Sequence, residues 1–229
     1  MPHGERAEKS VSSALRWFKG RAAREVAMRI TGGSASGRIL KAPKGLDVRP
    51  TPDLVKQAVF NSLGERVVNA RVLELFAGTG ALSLECLSRG AASVLCVELS
   101  SKHARGIRLN RDAANFPPGS LDVRVQDVFT ALGQLGGVGS TFDLVLADPP
   151  YGEKNVGRRS QSLAQRLLDD RRLVPLVQAG GLFVLGHAKR DTLEIPAFWH
   201  ELKMLKHGDS IMRLLTPVAT PATKNESAA

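Results

Sequence analysis

Cysteine, tyrosine and tryptophan are scarce in this sequence, and no apolar run is long. The 229 residues include 2 cysteines, 1 tyrosine and 2 tryptophans. Cys86 and Cys96 fall on a predicted helix and a predicted strand, where we expect small buried side chains rather than a disulfide or a metal pair. No segment is long enough to span a membrane, and no apolar signal segment follows the basic N-terminus. These features exclude a disulfide-stapled scaffold and a membrane-spanning chain, and they favour a reducing cytoplasm.

Histidine spacing gives a similar exclusion. His103, His187, His200 and His207 lie at intervals that match no common metal-ligand pattern. We therefore predict surface or core roles for these side chains and no metal site.

Positive charge is in large excess. Lys and Arg total 32 against 22 Asp and Glu, which gives a formal net charge of +10 at pH 7. Basic side chains gain affinity for nucleic acid by displacing phosphate counterions, so the excess points to a polyanionic partner. A basic surface that serves only solubility would carry the same charge, and both interpretations stay open. The 43% apolar content is enough for the core of one mid-sized α/β domain, with room for a small appendage.

The two ends of the chain differ from its centre. Residues 1–27 are basic and have little apolar periodicity, so we expect a flexible extension or a short helix, and Met28 could be an alternative start. Residues 28–50 contain two short alternating segments around a Gly/Ser turn, which predicts a small basic β-hairpin. Residues 51–215 form the main domain. Residues 216–229 have no apolar period and are expected to be disordered.

Within residues 51–215, apolar strand patterns alternate with helical ones, which predicts an α/β fold with a mostly parallel sheet covered by helices on both faces. Strands are predicted at residues 72–76, 93–97, 121–125, 142–147 and 181–185, and helices at 80–89, 101–114, 128–135 and 160–178. An earlier helix is predicted with Thr51 as N-cap and Pro52 at its first position. Two last strands, at 199–206 and 210–215, flank His207-Gly208-Asp209 and predict an antiparallel hairpin, which brings the sheet to seven strands.

A glycine loop follows the first strand of the main domain. Gly78 and Gly80 permit a tight turn and close approach of a ligand to the backbone. Leu82-Ser83 replaces the third glycine of the dinucleotide fingerprint, so a nucleoside is favoured over a pyrophosphate. The next two strands end at Glu98, placed for two ribose hydroxyls, and at Asp127, placed for an adenine amine. The glycines could instead merely turn the chain, and both acids could be helix N-terminal charges.

The fourth strand ends in Asp148-Pro149-Pro150-Tyr151. An ionised carboxylate only accepts hydrogen bonds, and the two prolines leave carbonyl acceptors on a stiff backbone. Acceptors that pull on both N–H bonds of a nucleobase amine return electron density to its nitrogen, and Tyr151 offers a flat face for an extruded base. The same four residues could be a plain strand terminator. Four consecutive strands nevertheless carry a candidate group at the same edge of one sheet, which favours a binding cleft there.

This arrangement resembles class I S-adenosylmethionine-dependent methyltransferases, and residues 28–215 closely resemble the bacterial 16S rRNA guanine-N2 methyltransferase family (small-subunit methyltransferase D). The matching stretches are 29–33, 37–38, 49–51, 60–61, 75–82, 87–91, 148–151 and 208–209. The resemblance implies a Rossmann-like domain at 51–215 that methylates the N2 amine of one guanine. Its implied partner is 16S rRNA, within the small ribosomal subunit or an assembly intermediate, and we expect a cytoplasmic monomer.

The resemblance also implies roles for individual residues. Asp148, Pro149, Pro150 and Tyr151 would be catalytic. Glu74 would face the methionine end of S-adenosylmethionine. The full set of expected cofactor-binding residues is Glu74, Phe76, Ala77, Gly78, Thr79, Gly80, Glu98, Asp127 and Val128. The basic residues expected to bind RNA are Arg29, Arg38, Lys41, Lys44 and Arg49.

Some points depart from the family pattern or stay open. Residues 1–27 have no counterpart in the short members, Thr79 replaces a commoner serine, and Leu185-Gly186-His187 stands where an acidic residue is frequent. Arg49 and Thr51 could serve the cofactor or the RNA, and Thr51 could simply cap its helix. The alternatives for function are an N6-adenine or N4-cytosine nucleic-acid methyltransferase, a protein glutamine methyltransferase and a non-catalytic RNA-binding assembly protein.

Overall fold

A computed structural model describes residues 28–41, 51–151, 155 and 158–218. The expectations for residues 1–27, for Lys44 and Arg49, and for residues 219–229 lie outside the described residues. Within the described part of the chain, no helix is both long enough and apolar enough to cross a membrane.

In the described part of the chain, seven strands form one sheet, as predicted. The strands are β1 (Arg71–Leu75), β2 (Ser93–Glu98), β3 (Leu121–Val125), β4 (Phe142–Ala147), β5 (Val177–Ala188), β6 (Trp199–His207) and β7 (Ser210–Pro217), in the order β3-β2-β1-β4-β5-β7-β6. Strands β1 to β5 run parallel, and β7 is antiparallel to both β5 and β6. The strand order reverses between β1 and β4, and ligands bind at such a switch point in open α/β sheets.

Helices cover both faces of the sheet. They are α1 (Asp53–Leu63), α2 (Ala81–Ser88), α3 (Ser101–Ala113), α4 (Val128–Gly137) and α5 (Leu163–Asp169), with short 3-10 turns at Gly64–Val67, Pro118–Ser120 and Arg171–Leu176. One core layer joins the sheet to α1, α2, α3 and the segment 28–41, and the other joins it to α4, α5 and the turn before β5. Cys86 and Cys96 are free and fully buried, as expected from the sequence.

The segment 28–41 folds back on itself and packs against α2. Arg29 and Ile39 form an isolated antiparallel bridge closed by a turn, rather than two regular strands. The backbone amide and hydroxyl of Thr31 donate to the buried carboxylate of Glu85 at 2.7 and 2.9 Å. A Cβ on Gly33 would lie 1.8 Å from the Ser88 carbonyl oxygen, so this contact requires glycine. The predicted basic hairpin is thus a short fold fixed to the main domain.

Besides the strand expected at 181–185, which extends over Val177–Ala188, three predicted boundaries are wrong. The helix expected over 160–178 ends at Asp169, because the Asp170 carboxylate accepts from the amide of Arg172 and starts a separate 3-10 turn that contains Pro175. Residues 216 and 217, which were expected to be disordered, belong to β7, which runs to Pro217, and the Thr216 hydroxyl donates to the Gly181 carbonyl at 3.1 Å.

The third wrong boundary is the start of α1. Its N-cap is Pro52, whose carbonyl accepts from the Lys56 amide at 3.0 Å, and not Thr51. The C-terminal hairpin is as predicted, with Gly208 at φ 56° in the two-residue connection between β6 and β7.

Candidate active site

A cleft of about 1020 Å³ opens over the carboxyl ends of the parallel strands. Its wall includes all four predicted strand-end positions, namely Gly78, Glu98, Asp127 and Asp148. The topology brings them together because β1, β2 and β4 are parallel and β3 adjoins β2. This volume suits a nucleoside-sized ligand.

The glycine loop after β1 is built from left-handed residues. Phe76, Gly78 and Gly80 have φ angles of 57°, 54° and 74°. A bulky residue at positive φ is a strained conformation of the kind that clusters at binding sites. A Cβ on Gly80 would lie 3.0 Å from Ile107 side-chain carbons, so this glycine lets the loop pack on α3. Phe76 and Gly78 face the cleft, whereas Ala77, Thr79 and Gly80 support the loop without lining it.

Glu98 fixes the glycine loop to the end of β2. One carboxylate oxygen accepts from the Gly78 amide at 2.7 Å, and the other accepts from the Ser100 amide at 2.8 Å. His103 Nδ1 lies 3.1 Å from the second oxygen. Ser100, rather than Glu98, caps α3, because its hydroxyl accepts from the His103 amide. The carboxylate therefore holds the loop and also lines the cleft, where it can accept from hydroxyls.

Asp127 has two roles. It is the N-cap of α4, and its Oδ1 accepts from the amide and hydroxyl of Thr130 at 3.0 and 3.2 Å. The interpretation as a helix N-terminal charge is therefore confirmed, yet Asp127 and the next residue, Val128, also line the cleft. Both bonds use Oδ1, which leaves Oδ2 to accept from a ligand amine.

Glu74 does not line the cleft. It lies beneath the glycine loop, is 3% exposed, and accepts from the amide and hydroxyl of Ser83. Burial raises the pKa of Glu74 to about 8, and the charges of Asp148 and Glu98 add to the shift. The structure thus places Glu74 one layer below the position expected for a contact with the methionine end of the cofactor.

Asp148 occupies the end of β4 with its side chain held from two directions. The Thr51 hydroxyl donates to Oδ2 at 2.8 Å. Oδ1 is enclosed against Gly186, where a Cβ would approach it to 2.3 Å, and it has no hydrogen-bond partner among the described residues. Burial raises the pKa of Asp148, and the bond from Thr51 opposes that rise. Gly186, which was assigned no role from the sequence, leaves the space that this carboxylate fills.

The rest of the tetrapeptide also lines the cleft. Pro149 is buried, Pro150 is exposed, and the Tyr151 hydroxyl lies 2.8 Å from the hydroxyl of Ser210 at the start of β7. The bond to Ser210 fixes the tyrosine ring at the rim of the cleft.

Sequence reasoning missed several wall residues. Phe129 makes an edge contact with Phe76, and the Arg166 guanidinium lies 4.4 Å from the centre of the Phe129 ring. Ser100, His103 and Ser210 also line the cleft. Their only sequence signal is proximity to a strand end, and the position of Arg166 depends on how α5 packs.

The expected RNA-binding residues that the structure describes lie on the segment 28–41. Arg29 is 57% exposed at its side chain and pairs with Asp53 at 2.7 Å. Arg38 donates to the Ala113 carbonyl at 2.6 Å. Lys41 is exposed, and its backbone is held at both its N–H and C=O by the side chain of Asn110. Two of the three cations are therefore partly engaged within the protein.

The groups of the cleft fit S-adenosylmethionine. Glu98 and Asp127 supply acceptors for hydroxyls and an amine, and Phe76, Leu99 and Val128 supply apolar walls. The glycine loop brings backbone close to the space between them. None of the described residues that line the cleft is incompatible with a nucleoside of the size of S-adenosylmethionine.

Comparisons with known proteins agree with this geometry. A family model described as "Conserved hypothetical protein 95" matches residues 28–216. A Bacillus subtilis relative, "Putative rRNA methyltransferase YlbH", is 35% identical over 56% of this chain and 70% of its own length. The Escherichia coli "Ribosomal RNA small subunit methyltransferase D" is 36% identical over 54% of this chain and 60% of its own length. The aligned part thus spans less than two thirds of the E. coli relative.

A solved structure extends the likeness to the whole fold. "Putative methyltransferase yhhF" from Escherichia coli superposes with a TM-score of 0.70 and 26% identity, over 85% of this chain and 99% of that one. At the level of the family, these comparisons confirm three expectations. They are the class I methyltransferase fold, methyltransferase activity and S-adenosylmethionine as the cofactor. The chain belongs to the small-subunit rRNA methyltransferase D family.

Proposed function

We propose that the protein transfers a methyl group from S-adenosylmethionine to the exocyclic N2 amine of a guanine in 16S ribosomal RNA. One observation carries the proposal: Asp148 and Tyr151 line the same cleft as Gly78, Glu98 and Asp127. An amine acceptor and a stacking face for an extruded base thus adjoin a nucleoside-sized cofactor site. The name of the E. coli relative supports the choice of small-subunit rRNA.

The cofactor half of the cleft binds and orients. Glu98 would accept from the ribose hydroxyls, Asp127 from the adenine amine, and Phe76 and Val128 would pack against the adenine ring. S-adenosylmethionine supplies a methyl group on a positively charged sulfur, which is already a good leaving group. The protein therefore needs mainly to fix the position of the nucleophile, a contribution that can reach ~7–11 kcal/mol.

The target half prepares that nucleophile. The Asp148 carboxylate and the Pro149 carbonyl accept from the two N–H groups of the guanine amine, which returns electron density to nitrogen. Tyr151 stacks against the base while Ser210 holds its hydroxyl. The N–C bond forms as the C–S bond breaks, and the methylated amine then releases one proton to water. No strong general base is required, because the amine becomes acidic only as the methyl group arrives.

The basic hairpin is the RNA-binding part of the proposal. Arg29, Arg38 and Lys41 add positive charge on the segment 28–41, and Lys44 and Arg49 continue it in sequence. Phosphate contacts would fix the RNA while the cleft selects the base. We assign a monomer that acts in the cytoplasm on the small ribosomal subunit or on an assembly intermediate.

The test is to map the methyl group. The protein is incubated with isotope-labelled S-adenosylmethionine and small subunits that lack the modification, and digested nucleosides are then analysed by mass spectrometry. Labelled N2-methylguanosine at one position is expected. Label on N6 of adenosine or N4 of cytidine would instead support the alternative nucleic-acid methyltransferases. Cofactor binding without label in any RNA or particle would contradict the proposed function and favour an assembly protein.

A further inference from the structure

Thr51 makes a contact that neither its sequence context nor the proposed reaction explains. The sequence allowed it to cap α1 or to touch the cofactor or the RNA. It does not cap the helix, because Pro52 occupies that position. Its hydroxyl instead donates to Asp148 Oδ2 at 2.8 Å, across 97 positions of sequence.

The position of Thr51 is fixed by buried contacts of α1. Pro52 follows it directly at φ −58°. One turn later the Lys56 ammonium has a side-chain exposure of 0% and lies 3.2 Å from the Asp53 carboxylate. Lys56 also donates to the Arg29 carbonyl. An unpaired buried ammonium would be costly, so these bonds hold the start of α1 in one place.

Gly186 confines Asp148 from the other side. A Cβ there would lie 2.3 Å from Oδ1, and Oδ1 is enclosed without a partner among the described residues. Oδ2, the oxygen that Thr51 holds, is therefore the side-chain acceptor that can reach an amine in the cleft. A carboxylate oxygen has two lone pairs, so Oδ2 can accept from both the Thr51 hydroxyl and a target N–H.

We propose that Thr51 is a positioning residue that orients the Asp148 carboxylate toward the target amine. The inference rests on the proposed function. It deepens that function by naming the residue that orients the carboxylate which accepts from the target amine. Thr51 also lines the cleft, and in this proposal it acts through Asp148. Its hydroxyl also favours the ionised carboxylate, which is the form that can only accept.

The first test compares three variants with wild type. Thr51→Val removes the hydroxyl at nearly constant volume and should lower kcat by roughly 10- to 100-fold, the size expected for a hydrogen bond to a charged group. The dissociation constant for S-adenosylmethionine should change less than about twofold. Thr51→Ser should restore most of the lost kcat. Thr216→Val, which loses a hydroxyl bond to Gly181 in β7, should keep wild-type turnover.

The pH dependence of kcat distinguishes a positioning role of Thr51 from a merely structural one. Burial raises the pKa of Asp148 and the Thr51 bond lowers it, so the Val variant should move the acid limb of kcat to higher pH. Glu74 lies beneath the cleft, and the other charged or titratable groups that line it among the described residues are Glu98, His103, Asp127, Tyr151, Arg166, Arg190 and Asp209. They are unchanged in all variants, and the Ser variant should follow wild type.

A double-mutant cycle closes the test. In an Asp148→Asn background, Thr51→Val should cause little further loss, because the partner that it serves is already altered. Independent losses that multiply, or a Val variant with wild-type kcat and acid limb, would overturn the proposal. These outcomes differ from a failure of the proposed function, which would appear as wild-type protein that labels no guanine. If wild type labels another base, the cycle still tests Thr51 on that substrate.

Discussion

Glu98 in the proposed cofactor half of the cleft and Asp148 in the proposed target half differ in how many hydrogen bonds the protein itself donates to them. In the cofactor half, the Glu98 carboxylate accepts from two backbone amides at 2.7 and 2.8 Å and contacts His103. In the target half, the Asp148 side chain accepts from Thr51 alone among the described residues. A carboxylate bound by several donors keeps its geometry without a ligand, whereas one with a single donor retains capacity for another. The half that we propose for the cofactor therefore holds its Glu98 carboxylate in a fixed position, and the half that we propose for the target keeps an acceptor for a substrate amine.

The halves also use different means to stiffen the backbone. The cofactor half relies on left-handed residues, including Phe76 at φ 57°, which the bonds of Glu98 help to hold. The target half relies on Pro149 and Pro150, whose rings restrict φ without strain. Changes in the first half should therefore disturb ligand affinity and stability together. Changes in the second should act on turnover with little effect on cofactor binding.

The largest expected effect is at Asp148. Asp148→Ala should lower kcat by on the order of 10³-fold, because the target amine loses its charged acceptor and its near-attack orientation. The dissociation constant for S-adenosylmethionine, measured by calorimetry, should stay within about twofold of wild type. Wild-type turnover in this variant would remove the tetrapeptide from the mechanism. A large loss of cofactor affinity would instead break the separation between the halves.

The second effect is a pH-dependent stability that belongs to the cofactor half. Glu74 has a pKa of about 8 in the folded protein against 4.5 for a glutamate side chain in water. Because the folded pKa is the higher one, its contribution to stability is complete below pH 4.5 and is lost as pH rises through 8. Relative to Glu74→Gln, wild type should lose about 2–4 kcal/mol of unfolding free energy between pH 5 and pH 8.

Chemical denaturation without cofactor measures this difference, since a ligand would add its own linkage. The exposed Glu65 provides the control, and Glu65→Gln should run parallel to wild type across the same pH range. A difference between wild type and Glu74→Gln that is constant with pH would show that Glu74 ionises normally beneath the loop.

The third effect is at Glu98. Glu98→Gln replaces one acceptor oxygen by an NH₂ group, which only donates. The variant therefore loses the hydrogen bond from either the Gly78 amide or the Ser100 amide. The dissociation constant for S-adenosylmethionine should rise roughly 10- to 100-fold, while kcat at saturating cofactor should change little. Stopped assays at several cofactor concentrations separate the two quantities. A variant with normal affinity and low kcat would reverse the assignment of the two halves.

Local pattern predicted the sheet and the groups at the strand ends that line the cleft. Strands β1 to β4 are short apolar runs, so their ends and the groups that follow them could be predicted without a structure. Parallel pairing then placed Glu98, Asp127 and Asp148 on one edge. The helix expected over 160–178 was too long because the break at Asp170 depends on a side-chain bond to the next segment.

Contacts between segments that are far apart in the chain could not be predicted from the sequence. Thr51 and Asp148 are 97 positions apart, and only packing of α1 brings them together. Lys56 would be expected on a solvated helix face, yet its ammonium is fully buried because Asp53 and the Arg29 carbonyl bind it. The burial of Glu74 below the loop likewise reflects the strand register and the placement of Ser83.

The smallest expected effect concerns the basic hairpin and its contribution to RNA binding. Arg29→Ala combined with Arg38→Ala should weaken binding of the small subunit several-fold and reduce the slope of log K against log salt by roughly one to two. The reduction is limited because Arg29 already pairs with Asp53 and Arg38 with the Ala113 carbonyl. Binding is measured by filter retention at several salt concentrations.

The chain offers a closely matched control for that variant. Arg172 pairs with Asp170 and is 53% exposed at its side chain, compared with 57% for Arg29. Arg66 donates to the Gly180 carbonyl, as Arg38 does to Ala113. Neither control arginine lines the cleft or belongs to the segment 28–41. Arg66→Ala with Arg172→Ala removes the same charge and should leave the slope nearly unchanged. Equal slopes for the two double variants would mean that net charge alone attracts the RNA. That result would contradict the proposal that the basic hairpin binds it.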